Sequence, residues 1–112
     1  MARILALVGD LMLASRVKET LSAAGHEVTV KPGPDDASFD GFELIVADLG
    51  EVDPVSVAGN GPPVLGFYSH VEVDTRRRAE AAGVDLVVPR SRLAREMPEL
   101  AARLLESPRS GS

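Results

Sequence analysis

The sequence predicts a doubly wound α/β fold, in which helices cover both faces of a parallel β-sheet. Short aliphatic runs without a polar break are typical of strands that are buried on both faces, and the clearest is Leu44 to Ala47 within FELIVADLG. Segments with helical spacing of apolar residues alternate with these runs, which favours a parallel sheet. The length of 112 residues suits one domain.

The predicted elements alternate regularly along the chain. Strands are expected at 4–8, 26–31, 43–48, 64–68 and 85–88, and helices at 11–24, 55–58, 71 or 72 to 82, and 91–105. Five strands connected in this way fit the order 2-1-3-4-5 of flavodoxin-like folds. We expect one domain over residues 1–106 and a frayed polar tail over residues 107–112.

The first helix has clear sequence signals at both ends. Asp10 is placed to cap its start, since an N-cap carboxylate accepts hydrogen bonds from free backbone N–H groups. Leu13, Val17 and Leu21 form an apolar stripe at helical spacing, and Gly25 provides a stop. The following HEVTVK segment alternates polar and apolar residues, which indicates a strand nearer the sheet edge.

The middle of the chain is predicted to contain loops and one short helix. Residues 32–40 are predicted as a loop with one helical turn around 35–38. The proline- and glycine-rich residues 50–63 leave room only for a short helix at 55–58. The next strand begins after Pro63, and Gly66 within it suggests close approach by another group.

The last third carries two helices. Gly83 ends the first of them. The second has Leu93, Met97 and Leu100 on one apolar face. Because Pro98 cannot continue a helical hydrogen-bond ladder, we expect a break near Glu96 and Met97 and a second helical segment from Pro98.

Composition excludes several classes of function. The chain has no cysteine and only two histidines, so disulfides, thiolate metal sites and a cysteine nucleophile are excluded. A net charge of −5 argues against general nucleic-acid binding. No apolar run approaches 18 residues, so we predict no membrane contact and a cytoplasmic location.

Charge is nevertheless distributed unevenly. Residues 1–75 carry four basic against twelve acidic residues, a net of −8, whereas residues 76–112 carry eight arginines against five acids, a net of +3. The helix after the fourth strand contains Arg76, Arg77 and Arg78. These arginines are either a solvated helix face or a docking surface for an acidic partner.

The predicted topology brings Asp10 and Asp48 together. In the order 2-1-3-4-5 the first and third strands are neighbours, and both residues follow their carboxyl ends, where α/β sheets bind ligands. Simpler roles stay open for both residues. Asp48 could bond the backbone amides of the following loop, and Asp10 could serve only as a helix cap.

The motifs resemble the receiver domain of bacterial response regulators from Arg3 to about Leu105. ELIVADLG, with Asp48 closing the strand, is the strongest match; RILALVGD, AAGHEV, PVLGFYSH and AAGVDLVVPRS match the other strands. The resemblance implies that Asp48 is the phosphoryl acceptor, with Mg²⁺ bound beside it by Asp48 and Asp10. It also implies a cytoplasmic signalling role in a two-component system.

Several positions depart from the family pattern. Ungapped alignment puts Val8 and Gly9 where the family has its two Mg²⁺-binding acids, one residue before Asp10. Tyr68 stands where the family has Thr or Ser, and its phenol would crowd the pocket for the phosphoryl group. The hydroxyl of Ser69 could take this role only if the alignment shifted by one residue.

The fifth strand and its end also differ. Arg90 replaces the family's lysine and keeps the charge without the compact ammonium geometry. Val87 stands at the position on the fifth strand where the family has an aromatic residue that acts as a switch.

These departures predict a degenerate member, a pseudo-receiver. We expect a stand-alone signalling module that binds another signalling protein or a second copy of itself, without aspartyl phosphorylation and without a cofactor. Alternatives are a working single-domain response regulator, phosphorylated on Asp48 with Mg²⁺, and a small enzyme or nucleotide-binding domain on the same fold. No glycine-rich phosphate loop supports the last alternative.

Overall fold

The computed structural model describes residues 2–33, 39–69 and 73–106. The strands are β1 (Arg3–Leu7), β2 (Glu27–Lys31), β3 (Leu44–Asp48), β4 (Val64–Tyr68) and β5 (Leu86–Pro89). The helices are α1 (Leu11–Ala23), α2 (Pro54–Val57), α3 (Val73–Ala82) and α4 (Arg90–Glu106). Each predicted strand is present, with its ends shifted by one residue or less.

The five strands form one parallel sheet in the order β2-β1-β3-β4-β5, which confirms the predicted topology. β3 lies at its centre, and all five of its residues are buried. This burial explains its unbroken aliphatic sequence, because a strand covered on both faces has no position for a solvated side chain.

Two hydrophobic layers cover the sheet, one on each face. On one face, alternate strand residues such as Ile4, Val46 and Phe67 pack with residues of α1 and α4. On the other face, residues such as Leu5 and Ile45 pack with residues of α2 and α3. Side chains alternate between the faces along each strand, so both layers draw on the same strands.

Gly66 allows close packing inside the sheet. A Cβ atom at this position would lie 2.7 Å from Cδ1 of Leu49, closer than side chains tolerate. The predicted close approach is therefore confirmed, and the group that approaches is the leucine directly after Asp48.

The last helix is kinked, as Pro98 predicts. Glu96 has φ −123° and ψ 17°, outside the helical region, and separates two helical segments within α4. Proline removes one backbone donor and its ring would clash with the carbonyl four residues earlier, here that of Ala94. The second segment still buries Leu100 and Ala101 against the sheet.

Some predictions fall outside the described residues. These are the helical turn at 35–38, the start of α3 at 71 or 72, and the tail over 107–112. Within the described ranges, no helix is long and apolar enough to cross a membrane.

Candidate functional site

The carboxyl end of β3 places Asp48 in a buried position. Asp48 is 8% exposed, and it is the only charged residue that is buried in the described part of the chain. Its Oδ1 atom accepts a hydrogen bond of 2.9 Å from the backbone N–H of Gly50. The backbone carbonyl of Asp48 accepts further bonds from the N–H groups of Glu51 and Val52. The residue therefore fixes the turn after β3.

The side chain of Asp48 leaves the sheet on the face covered by α1 and α4. Val46 packs on this face, and side chains two residues apart share a face. The register pairs Leu7 with Ala47, so Val8 lies level with Asp48 at the next step. Val8 is buried, at 2% exposed, in the same hydrophobic layer. An apolar residue thus lies level with Asp48 on the neighbouring strand, where the resemblance implies an acid.

Asp10 caps helix α1. Its Oδ1 atom accepts hydrogen bonds from the backbone N–H groups of Met12 at 3.0 Å and Leu13 at 3.1 Å. Its backbone is extended, as expected for an N-cap residue. The predicted capping role is confirmed, and this carboxylate oxygen is committed to the helix.

Gly9, between Val8 and Asp10, lies under the side chain of Glu51. A Cβ atom on Gly9 would lie 3.0 Å from each carboxylate oxygen of Glu51. Glu51 belongs to the turn after β3, so the two loops that form this edge of the sheet meet at this point.

Tyr68 is the last residue of β4, and Ser69 follows it. Asp48 pairs with Phe67 in the register, and Phe67 packs on the α1–α4 face. Tyr68 is buried and, by alternation along the strand, leaves the sheet on the opposite face. Ser69 is exposed.

Arg90 begins α4 and lines a cavity with residues of α1. The cavity has a volume of about 200 Å³ and is formed by Asp10, Met12, Leu13, Arg16, Arg90 and Ala94. Asp48 does not line it. Arg90 and Arg16 make no ion pair within the described ranges.

The residues at this edge do not fit a Mg²⁺ ion. Mg²⁺ requires several oxygen ligands in octahedral geometry. Across the described ranges, no three acidic or histidine side chains converge as ligands. Val8 and Gly9 offer no side-chain oxygen, and one oxygen each of Asp10 and Asp48 already binds backbone N–H groups.

The three arginines of α3 are exposed to solvent. Nε of Arg76 lies 3.4 Å from Oε2 of Glu80, one turn further along the helix. Arg78 lies 3.9 Å from Oδ1 of Asp53, at the start of α2. Arg77 has no ion pair among the described residues. Exposed pairs of this kind contribute little to stability, so the arginines stay available to a partner.

Sequence reasoning missed two features of this edge. The first is Glu51, whose contact with Gly9 joins residues that are distant along the chain. The second is a pair of exposed apolar side chains, Leu11 at 83% and Met12 at 85% exposed, in the first turn of α1. The only sequence signal for the exposure of Leu11 and Met12 is that both precede the apolar helical stripe that begins at Leu13.

Comparison by sequence alone yields no relative, since no family model and no curated protein matches the chain. Comparison by structure identifies many similar folds. The non-phosphorylated HemR receiver domain from Leptospira biflexa aligns over 100% of both chains, with 19% identity and a TM-score of 0.82. The receiver domain of the Francisella response regulator 1452 aligns over 95% of this chain and 98% of its own, with 17% identity and a TM-score of 0.80.

A longer protein is also similar. NtrX from Brucella abortus aligns over 94% of this chain with 21% identity and a TM-score of 0.80, and the chain spans 27% of its length. The fold of this chain is therefore that of the response regulator receiver domains.

Proposed function

We propose that the protein is a receiver-like signalling module that acts through protein–protein contacts and does not accept a phosphoryl group on Asp48. The observation that carries the proposal is the environment of the Asp48 carboxylate. It accepts a hydrogen bond from the N–H of Gly50, and the residue level with Asp48 on the neighbouring strand is the buried, apolar Val8. The receiver fold, shared with signalling proteins, supports the first half of the proposal.

The electrostatics of phosphoryl transfer support the second half. Transfer to a carboxylate concentrates negative charge, which must be neutralised by metal ions or cationic side chains. The donor set at this edge does not fit Mg²⁺. Arg90, the counterpart of the receiver lysine, lines the cavity beside α1, and Asp48 does not line that cavity.

Amide NMR tests this proposal with Mg²⁺ and beryllofluoride, a mimic of the phosphoryl group. When both are added, we expect no chemical-shift change at the amides of Gly50, Ser69 or Arg90. The reason is that Asp48 lacks the neighbouring groups that would neutralise the charge of a bound phosphoryl mimic. Large shifts at these amides that disappear in Asp48→Asn would contradict the proposal. They would support the alternative, a working response regulator.

The contact surface we propose is the exposed part of α3 that carries Arg76, Arg77 and Arg78. Consecutive positions on a helix point about 100° apart, so one partner surface would engage at most two of the three. All three side chains are exposed, and their carboxylate neighbours at 3.4 and 3.9 Å are themselves exposed. An acidic surface on another signalling protein, or on a second copy of this chain, would replace these weak pairs with several charge-assisted hydrogen bonds.

Reversing this charge is expected to abolish the contact. The triple variant Arg76→Glu, Arg77→Glu and Arg78→Glu should lose proteins that the wild-type chain retains in affinity capture, or dimers seen in sedimentation. A matched control changes the net charge equally at three other exposed positions, Lys18, Lys31 and Arg103. Equal loss in both variants, or no loss in the first, would argue against this face.

A further inference from the structure

The connection between α2 and β4 contains the only side-chain amide of the chain. Asn60 is the single asparagine, and there is no glutamine. Asn60 and Gly61 are both exposed, and Gly61 has φ +108°, a backbone conformation that glycine adopts readily. The N–H of Gly61 donates no hydrogen bond to any residue in the described ranges. The asparagine amide is therefore followed by an unpaired backbone nitrogen that no Cβ atom shields.

The Asn60 side chain caps the carboxyl end of α2. Its Nδ2 atom lies within hydrogen-bond distance of three backbone carbonyl oxygens, at 3.0 Å from Val57, 3.3 Å from Ser56 and 3.5 Å from Ala58. Carbonyls at the end of a helix have no partner inside the helix, so an external donor stabilises them. Asp53 caps the other end, where its Oδ1 atom accepts a bond of 3.0 Å from the N–H of Val55.

Helix α2 depends on these caps because it has only four residues. Its last turn is held by the bond of 3.0 Å from the N–H of Ala58 to the carbonyl of Pro54. A helix of this length is not stable by itself. Val57 anchors it in the hydrophobic layer that also contains Ala79 of α3. We therefore expect the end of α2 to open more readily than the strands beside it.

We propose that Asn60 and Gly61 form a self-modification site, at which conversion of the amide to a carboxylate releases the carboxyl end of α2. The backbone nitrogen of Gly61 attacks Cγ of Asn60 and forms a C–N bond. The Cγ–Nδ2 bond breaks, and Nδ2 leaves as ammonia with the proton from Gly61. Water then opens either carbonyl of the resulting succinimide, which leaves aspartate or isoaspartate at position 60.

The modified side chain cannot restore the cap. An ionised carboxylate accepts hydrogen bonds and donates none, so it would face three carbonyl oxygens without a proton to share. While Nδ2 is bonded to α2 the amide is held in place, so the reaction proceeds from molecules in which α2 has opened. Opening is reversible, and the modification makes it permanent.

Intact-mass spectrometry follows the reaction directly, because no other side chain has an amide to lose. The folded wild type is incubated in mildly alkaline buffer beside the same chain in urea. We expect both to convert, the folded chain about tenfold more slowly, which corresponds to about 1.4 kcal/mol for the opening of α2. Asn60→Gln should keep its mass, since its longer side chain closes a ring less readily. A folded wild type that stays unmodified after the denatured chain has converted would overturn the inference.

Amide hydrogen exchange tests the consequence for α2. In the modified chain, and in Asn60→Asp, the amides of Ser56 and Ala58 should exchange about tenfold faster than in the unmodified wild type, because both are bonded within this turn. The amide of Leu13, at the capped start of α1, should exchange at the same rate in all three proteins. Unchanged exchange at Ser56 and Ala58, or an equal increase at Leu13, would contradict a local cap and overturn the inference.

Discussion

Replacing Phe67 with alanine is expected to lower the free energy of unfolding by about 3–5 kcal/mol. Phe67 lies in β4 and has no exposed surface, and it is the largest such side chain in the described part of the chain. It packs in the layer between the sheet and helices α1 and α4. Its neighbours in this layer belong to several strands and two helices that are packed together, so they can close the resulting cavity only in part.

Chemical denaturation monitored by circular dichroism measures this loss. Leu11→Ala is the control, because it removes a large apolar side chain that is 83% exposed, and it should change stability by about 0.5 kcal/mol or less. Similar effects of the two substitutions would contradict the packing of β4 at the centre of the core. A loss of this size leaves the variant marginally folded, since domains of this length have about 5–15 kcal/mol of stability.

The fold could be predicted because its signals are local. The aliphatic run from Leu44 to Ala47 indicates burial on both faces, and Gly25 and Gly83 mark helix ends through their backbone freedom. Pro98 indicates the kink at Glu96 through its missing N–H group. Each of these effects acts within a few residues, so the sequence around it is sufficient evidence.

The candidate site could be predicted only in part, because its geometry depends on contacts between distant residues. Motif alignment located Val8, Gly9 and Arg90 relative to Asp48, but not where the charged groups point. The cavity lined by Arg90 and Arg16 is formed by residues of the first and last helices, which are far apart in sequence. The contact of Glu51 with Gly9 joins two loops. No local pattern encodes either contact.

Asp48→Ala is expected to destabilise the protein by about 1–3 kcal/mol. The carboxylate is the acceptor for the Gly50 N–H, in a residue that is 8% exposed, and alanine leaves that donor without its partner. Gly50 also fits closely, since a Cβ atom there would lie 3.2 Å from Oδ1 of Asp48. Thermal and chemical denaturation would both record the loss.

Asp48→Asn separates structure from phosphoryl chemistry. The asparagine side-chain oxygen can accept the same bond from Gly50, so this variant should retain most of the stability that alanine loses. If Asp48 were a working phospho-acceptor, Asp48→Asn would keep its stability but lose signalling, because asparagine preserves the fold and cannot be phosphorylated. If Asp48→Asn keeps both the stability and the partner contacts of the wild type, the carboxylate acts as a structural acceptor. Loss of partner contact in a stable Asp48→Asn protein would instead assign the negative charge a signalling role.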